Sequence, residues 1–155
     1  MQTTPLHNRF GVEIHNIDLS NMAIECGYPE IRAAFEAHSV LLFRNQNLDD
    51  KHHLSLANLF GPVEDRSLGT GGPVPRMSPV SNIVNGNKIT SENEKHIQHL
   101  RANQLWHTDS TFLPVPALAN IIAASVVPTH GGETDLVSTR IAWQDMSARL
   151  KAKAR

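Results

Sequence analysis

The sequence predicts an α+β protein, and three features of its patterning carry that prediction. Two stretches in the first third place apolar residues at helical spacing, several short apolar runs further on suit strands, and no segment repeats. At 155 residues with 40% hydrophobic content, the chain fits one domain spanning 1–155, with enough apolar surface for a core.

Taken in order, Phe10 to Ile17 comes first: Val12, Ile14 and Ile17 partly alternate with polar residues, which predicts an early strand that turns at Asp18-Leu19-Ser20. Pro29 to His38 carries Ile31, Ala34, Phe35 and His38 at helical spacing. Pro29 suits the first turn of that helix, where its missing N–H costs little. Val40-Leu41-Leu42-Phe43 is a compact apolar run, read as a buried strand ending at Arg44-Asn45-Gln46-Asn47. Asp49 can cap a second helix running to Phe60, with Leu54, Ala57 and Phe60 inward and Gly61-Pro62 as its stop.

Residues 66–79 hold Gly69, Gly71, Gly72, Pro73, Pro75 and Pro79, which oppose regular structure and predict a long loop. It is no phosphate cradle, because Pro73-Val74-Pro75 stands where a helix N-terminus would be needed. Asn85-Gly86-Asn87 predicts a hairpin turn between 80–84 and 88–90. A polar stretch from Ser91 to Arg101 then leads to strands at Trp106 to Phe112 and Leu118 to Val127. One amphipathic helix follows, from Thr139 to about Lys153.

Fourteen Lys plus Arg against fifteen Asp plus Glu leave a formal charge of -1, with no basic cluster to grip nucleic acid. Small neutral or anionic partners fit better than polymers. The single Cys26 excludes an internal disulfide and reads as a packing residue. The N-terminal residues lack a basic region followed by an apolar stretch, and no apolar run approaches membrane-spanning length, so a cytoplasmic protein without a membrane partner is expected.

The chemistry is concentrated in Leu105-Trp106-His107-Thr108-Asp109-Ser110-Thr111-Phe112. On extended backbone, side chains two positions apart project to the same side, so one metal ion can take an imidazole nitrogen from His107 and a carboxylate oxygen from Asp109. Alone, such a triplet more often binds nothing. Here it is followed by Pro114 and Pro116, an apolar stretch from Ala117 to Val127, Pro128, and Gly131-Gly132-Glu133-Thr134. This series resembles the iron(II)- and 2-oxoglutarate-dependent dioxygenases of the taurine and 2,4-dichlorophenoxyacetate dioxygenase family. Residues 39–46 and 59–64 also resemble its N-terminal half. Nearly the whole chain is covered, and the 105–117 segment looks closer to the phenoxyacetate branch.

The resemblance implies a partial double-stranded β-helix, or jelly-roll, cupin-like core with flanking helices. It makes His107 and Asp109 the first two iron ligands. Two imidazoles and one carboxylate on one face of an octahedral ferrous ion leave the other positions open, which suits a chelating co-substrate and dioxygen. Thr134 is implied to help hold the distal carboxylate of 2-oxoglutarate, the alternative being that Gly131-Gly132 merely makes a turn and Thr134 begins a strand. Asn103 corresponds to a position facing substrate or co-substrate, with a solvent-facing loop residue as its alternative. Trp106 and Phe112 are expected to pack in the core around the ligands. Of the nine histidines, His52, His53, His96 and His99 read as exposed or locally hydrogen-bonded, and His130 beside the glycine turn is not the third ligand.

The resemblance further implies a distal histidine ligand and an arginine for 2-oxoglutarate, neither of which lies within these residues. The chain is therefore expected to be the N-terminal portion of a dioxygenase domain, truncated before them. Two ligands hold iron less tightly than three, and uncovered strand edges invite aggregation or a homo-oligomer. The expected reaction is hydroxylation of a small, anionic organic substrate, phenoxyacetate- or taurine-like, with release of succinate and CO2. The alternatives are a truncated non-catalytic remnant or interaction module of the same fold, and a cupin-like metal binder without oxidation, for which no further His or Glu cluster is evident.

Overall fold

Val12, Ile14 and the helix that follows them organise the N-terminal part of the molecule. The computed structural model describes the chain apart from residues 22–25, 65–76, 78, 82, 85–87, 90–94 and 155. Its elements are β1 (Gln2–Pro5), β2 (Val12–His15), α1 (Tyr28–His38), β3 (Leu41–Phe43), α2 (Asp50–Phe60), β4 (Ile83–Val84), β5 (Lys88–Ile89), α3 (Lys95–Ala102), α4 (Thr139–Asp145) and α5 (Ala148–Lys153). A short 3-10 turn covers Leu19–Asn21. This is an α+β arrangement, divided by its contacts into two compact units: Met1–Phe60 with Ile121–Arg155, and Gly61–Asn120.

In the first unit the sheet order is β1-β2-β3. β1 runs antiparallel to β2 with Thr3 opposite Ile14, and β2 runs parallel to β3 with Val12 opposite Leu41. A parallel pair needs a crossover, and α1 supplies it. Strand alternation turns Val12 and Ile14 into the core, where they cluster with Ala34 of α1 and with Ile17, Leu41 and Phe43. Glu13, between them, pairs with Arg44 at 3.1 Å.

α1 begins with its proline in the first turn and ends at Ser39, which takes a left-handed φ of 66° while its N–H bonds to the Phe35 carbonyl. A second cluster joins Ile31 of α1 to Leu19 and Leu56, with Leu48, Leu59, Phe60 and Ile121 against it. Phe60 also receives the rings of Tyr28 and Phe35 edge-on, at 5.2 and 5.5 Å. Gln46 ties the strand exit to this core: its amide donates to the carbonyls of Ile17 and Arg44, and its oxygen accepts from the Leu19 N–H. Arg9 clasps Asp145 of α4 through two bonds of 2.6 and 3.0 Å.

Several expectations need correction. The inward residue of α2 is Leu56 rather than Leu54 or Ala57, which are only half-buried. The expected C-terminal helix is two helices, because Met146 is extended and Ser147 starts α5 by accepting from the Leu150 N–H. Cys26 is exposed, not packed. Trp106 and Phe112, expected in the core, are 70% and 76% exposed.

The segments 106–112 and 118–127 form no strand. Apolar content qualifies a segment for a sheet, but a strand exists only where another strand accepts its hydrogen bonds, and among the described residues none pairs with these. The 83–84 and 88–89 segments do pair antiparallel as expected. Their turn, and nearly all of the 66–79 loop, lie outside the described residues.

Candidate metal centre

The second unit carries the His107 and Asp109 side chains at the end of the segment that follows α3. Residues 106–108 have no regular structure, and directly after Asp109 the chain reverses at Ser110, whose φ is 61°. Left-handed backbone is costly for a residue with a Cβ, so the turn needs support. It has two anchors: the Leu113 N–H bonds to the Ser110 carbonyl at 3.0 Å, and the Ser110 hydroxyl, nearly buried, donates to the Glu64 carboxylate.

That turn and the approach to it bring the two side chains together, with His107 Nε2 lying 3.4 Å from Asp109 Oδ1. Each is fixed from behind. His107 Nδ1 is 2.6 Å from the Leu105 carbonyl oxygen. Since a carbonyl can only accept, Nδ1 carries the hydrogen, and in the neutral ring Nε2 presents its lone pair. Asp109 Oδ2 accepts from the Asn120 side-chain amide at 2.6 Å, leaving Oδ1 toward His107.

Two lone-pair donors converging at this distance repel unless a proton or a cation lies between them. Two ligand atoms each about 2.1 Å from one ion are about 3.0 Å apart at a right angle and about 3.4 Å apart at a tetrahedral angle, so the 3.4 Å separation lets the pair share one cation without selecting its coordination geometry. Both side chains are about half exposed, at 46% and 57%, which leaves room for further ligands. A recess of about 230 Å³ adjoins Asp109, walled by Thr108, Ser110 and residues 117–120. Among the described residues no cluster of three or more His, Cys, Asp or Glu side chains is placed to hold a metal.

The other expected site residues are placed differently. Asn103 is exposed in the turn after α3, four residues before His107. Thr134 is exposed, without regular structure, and belongs to the first unit. It does not begin a strand. Gly131 and Gly132 ahead of it both have positive φ, 75° and 77°, and a Cβ on Gly132 would lie 3.0 Å from the Pro128 ring. His52 bonds to Asp49 at 2.6 Å, the local role expected of it, whereas His53 departs from that expectation by reaching the Ile121 carbonyl at 3.1 Å, 68 residues away.

Three contributors escaped sequence reasoning: the Leu105 carbonyl, Glu64, and Asn120. Asn120 had a signal, since it is a lone amide in the apolar run after Pro116, where a polar group calls for a specific partner.

Comparison with known proteins identifies the family. The profile of the Taurine catabolism dioxygenase TauD, TfdA family matches residues 2–155, and the chain belongs to that family. An (S)-phenoxypropionate/alpha-ketoglutarate-dioxygenase of Sphingobium herbicidovorans is 30% identical over 96% of this chain and 49% of its own length. An alpha-ketoglutarate-dependent 2,4-dichlorophenoxyacetate dioxygenase of Cupriavidus pinatubonensis is 29% identical over 96% of this chain and 54% of its own. An alpha-ketoglutarate-dependent sulfate ester dioxygenase of Pseudomonas putida is 31% identical over 97% and 46%. The chain thus spans about half the length of the curated relatives it matches. Among solved structures, that of AAD-2 in complex with Mn(II) and N-oxalylglycine superposes with a TM-score of 0.81 at 25% identity, over 98% of this chain and 53% of AAD-2.

Proposed function

We propose that the protein is an Fe(II)- and 2-oxoglutarate-dependent dioxygenase that hydroxylates a small organic anion, and that residues 1–155 are the N-terminal portion of its catalytic domain. The observation that carries this is the 3.4 Å approach of His107 Nε2 and Asp109 Oδ1 in a chain of this family. His107 and Asp109 are the protein's ligands to ferrous ion from this part of the fold. When bound, the iron supplies oxidative decarboxylation of 2-oxoglutarate by dioxygen, giving succinate and CO2 while one oxygen atom enters a substrate C–H bond. Thr134 donates its hydroxyl to the distal carboxylate of 2-oxoglutarate, and Asn103 faces the substrate or co-substrate.

The names of the relatives point to phenoxyalkanoates and sulfate esters as the substrate class. Both carry an anionic group beside an oxygen-linked carbon. A hydroxyl placed on that carbon makes a hemiacetal-like centre, which collapses with loss of the oxygen leaving group. A jelly-roll core, a cytoplasmic location and solution self-association belong to the same proposal.

The test is succinate release on adding Fe(II), 2-oxoglutarate and a panel of phenoxyalkanoates and alkyl sulfates to the longest chain its gene encodes. Substrate-stimulated turnover is expected, falling below about one per cent in His107→Ala and in Asp109→Ala. Turnover in His107→Ala equal to the parent, or none in the parent, rejects the assignment, the latter in favour of a non-catalytic member of the family.

A further inference from the structure

We infer that Asn120 is a positioning residue for the metal carboxylate: its side-chain amide locks Asp109 so that Oδ1 alone is offered to the ion. The inference rests on the proposed iron site and deepens it. Asn120 Nδ2 donates to Asp109 Oδ2 at 2.6 Å, across eleven residues of sequence, while Asp109 Oδ1 lies 3.4 Å from His107 Nε2. The two oxygens of one carboxylate therefore have separate tasks.

An aspartate side chain rotates freely about its last bond unless one oxygen is held. With Oδ2 engaged, rotation that would swing both oxygens toward a cation breaks a charge-assisted hydrogen bond. Single-oxygen binding is thus favoured, and a coordination position that a two-oxygen grip would fill stays open. An amide suits this task better than a cation would, since it donates to Oδ2 without neutralising the charge that attracts the metal. His107 is restrained in the same manner by the Leu105 carbonyl, at 2.6 Å from Nδ1. Both ligands are thus aimed by neighbours that do not touch the ion.

Asn120 is exposed and lies outside any helix or strand, so nothing in its packing explains its identity. It also walls the recess beside Asp109 together with the apolar side chains of Ala117, Leu118 and Ala119. What distinguishes asparagine there is the donor.

Mn(II) titration of the longest chain its gene encodes, with the unbound ion followed by electron paramagnetic resonance, provides the test. Asn120→Ala and Asn120→Asp are compared with the parent and with His107→Ala, and the melting temperature of each metal-free protein is recorded beside the affinity. Asn120→Ala is expected to weaken Mn(II) binding about 10- to 100-fold with little change in metal-free melting. Asn120→Asp, which keeps the shape but replaces the donor with an acceptor, is expected to weaken it at least as much. Unchanged affinity in Asn120→Ala, or parental affinity in Asn120→Asp, overturns the positioning role while the iron site stands, provided His107→Ala still loses the metal. If the parent itself takes up no Mn(II), the iron site and the role of Asn120 fall together.

Discussion

Among the described residues, four other than glycine hold the backbone in the left-handed region: Asn16, Ser39, Asn45 and Ser110. Asparagine visits that region more readily than other residues with a Cβ, and the Asn16 amide is held by donating to the Gln2 side chain at 2.9 Å. Ser110 is held by its bond to Glu64, and its position directly after Asp109 makes that local cost part of how the ligand is presented. Ser39 is different, since it closes α1 where glycine is the preferred residue and only its backbone N–H is used. Ser39→Gly should therefore stabilise the protein by about 1 kcal/mol, read as a higher midpoint in urea unfolding. An unchanged or lower midpoint would mean that the serine hydroxyl contributes what the backbone geometry does not reveal. At the same scale, the pairing of His107 with Asp109 was legible because it needs only a spacing of two. Asn120 was not, because its partner is set by the path of the chain between 109 and 120.

At the level of elements, α2 shows how a local signal fixes a boundary. Asp49 accepts from the His52 backbone N–H at 2.8 Å and from the His52 ring, and these bonds hold its carboxyl below the usual aspartate range. A folded value below the unfolded one means that the carboxylate stabilises the helix above about pH 3.9 and that this contribution is lost as pH falls through the folded value. Asp49→Ala should lower the melting temperature at neutral pH, whereas Asp49→Asn should keep a capping acceptor and flatten the acid limb of the curve. Melting measured from about pH 7 to about pH 2 checks both. β2, α1, β3 and α2 were readable from sequence because caps, a first-turn proline and strand alternation all act within a few residues. β1 was not, since Gln2–Pro5 has no apolar alternation and is a strand only through its pairing with β2. α3 is polar, and its only apolar cue is Ile97 and Leu100 at a spacing of three. Ser147 shows the opposite failure: helical periodicity continues through it, but its hydroxyl restarts the chain as a new helix.

On the scale of the molecule, apolar residues divide into two populations. Ile31 is 1% exposed, with Leu19 and Leu56 around it, whereas Val115, Ile122, Val126 and Val127 are each more than 70% exposed. Sequence identifies both groups as suited to burial, but only tertiary contacts decide which are buried, and this is why the later strands were misread. Ile31→Ala should cost about 2–5 kcal/mol through lost contacts and a residual cavity, seen as an early thermal transition. A loss below about 1 kcal/mol would show that the neighbouring helices collapse onto the gap. The parallel pairing of β2 with β3 has a temporal corollary. Strand, crossover helix and strand all fall within residues 12–43, so their pairing closes a loop of about 30 residues and needs nothing from the later chain. On a translating ribosome this portion can acquire its native arrangement while the codons for His107 and Asp109 are still unread.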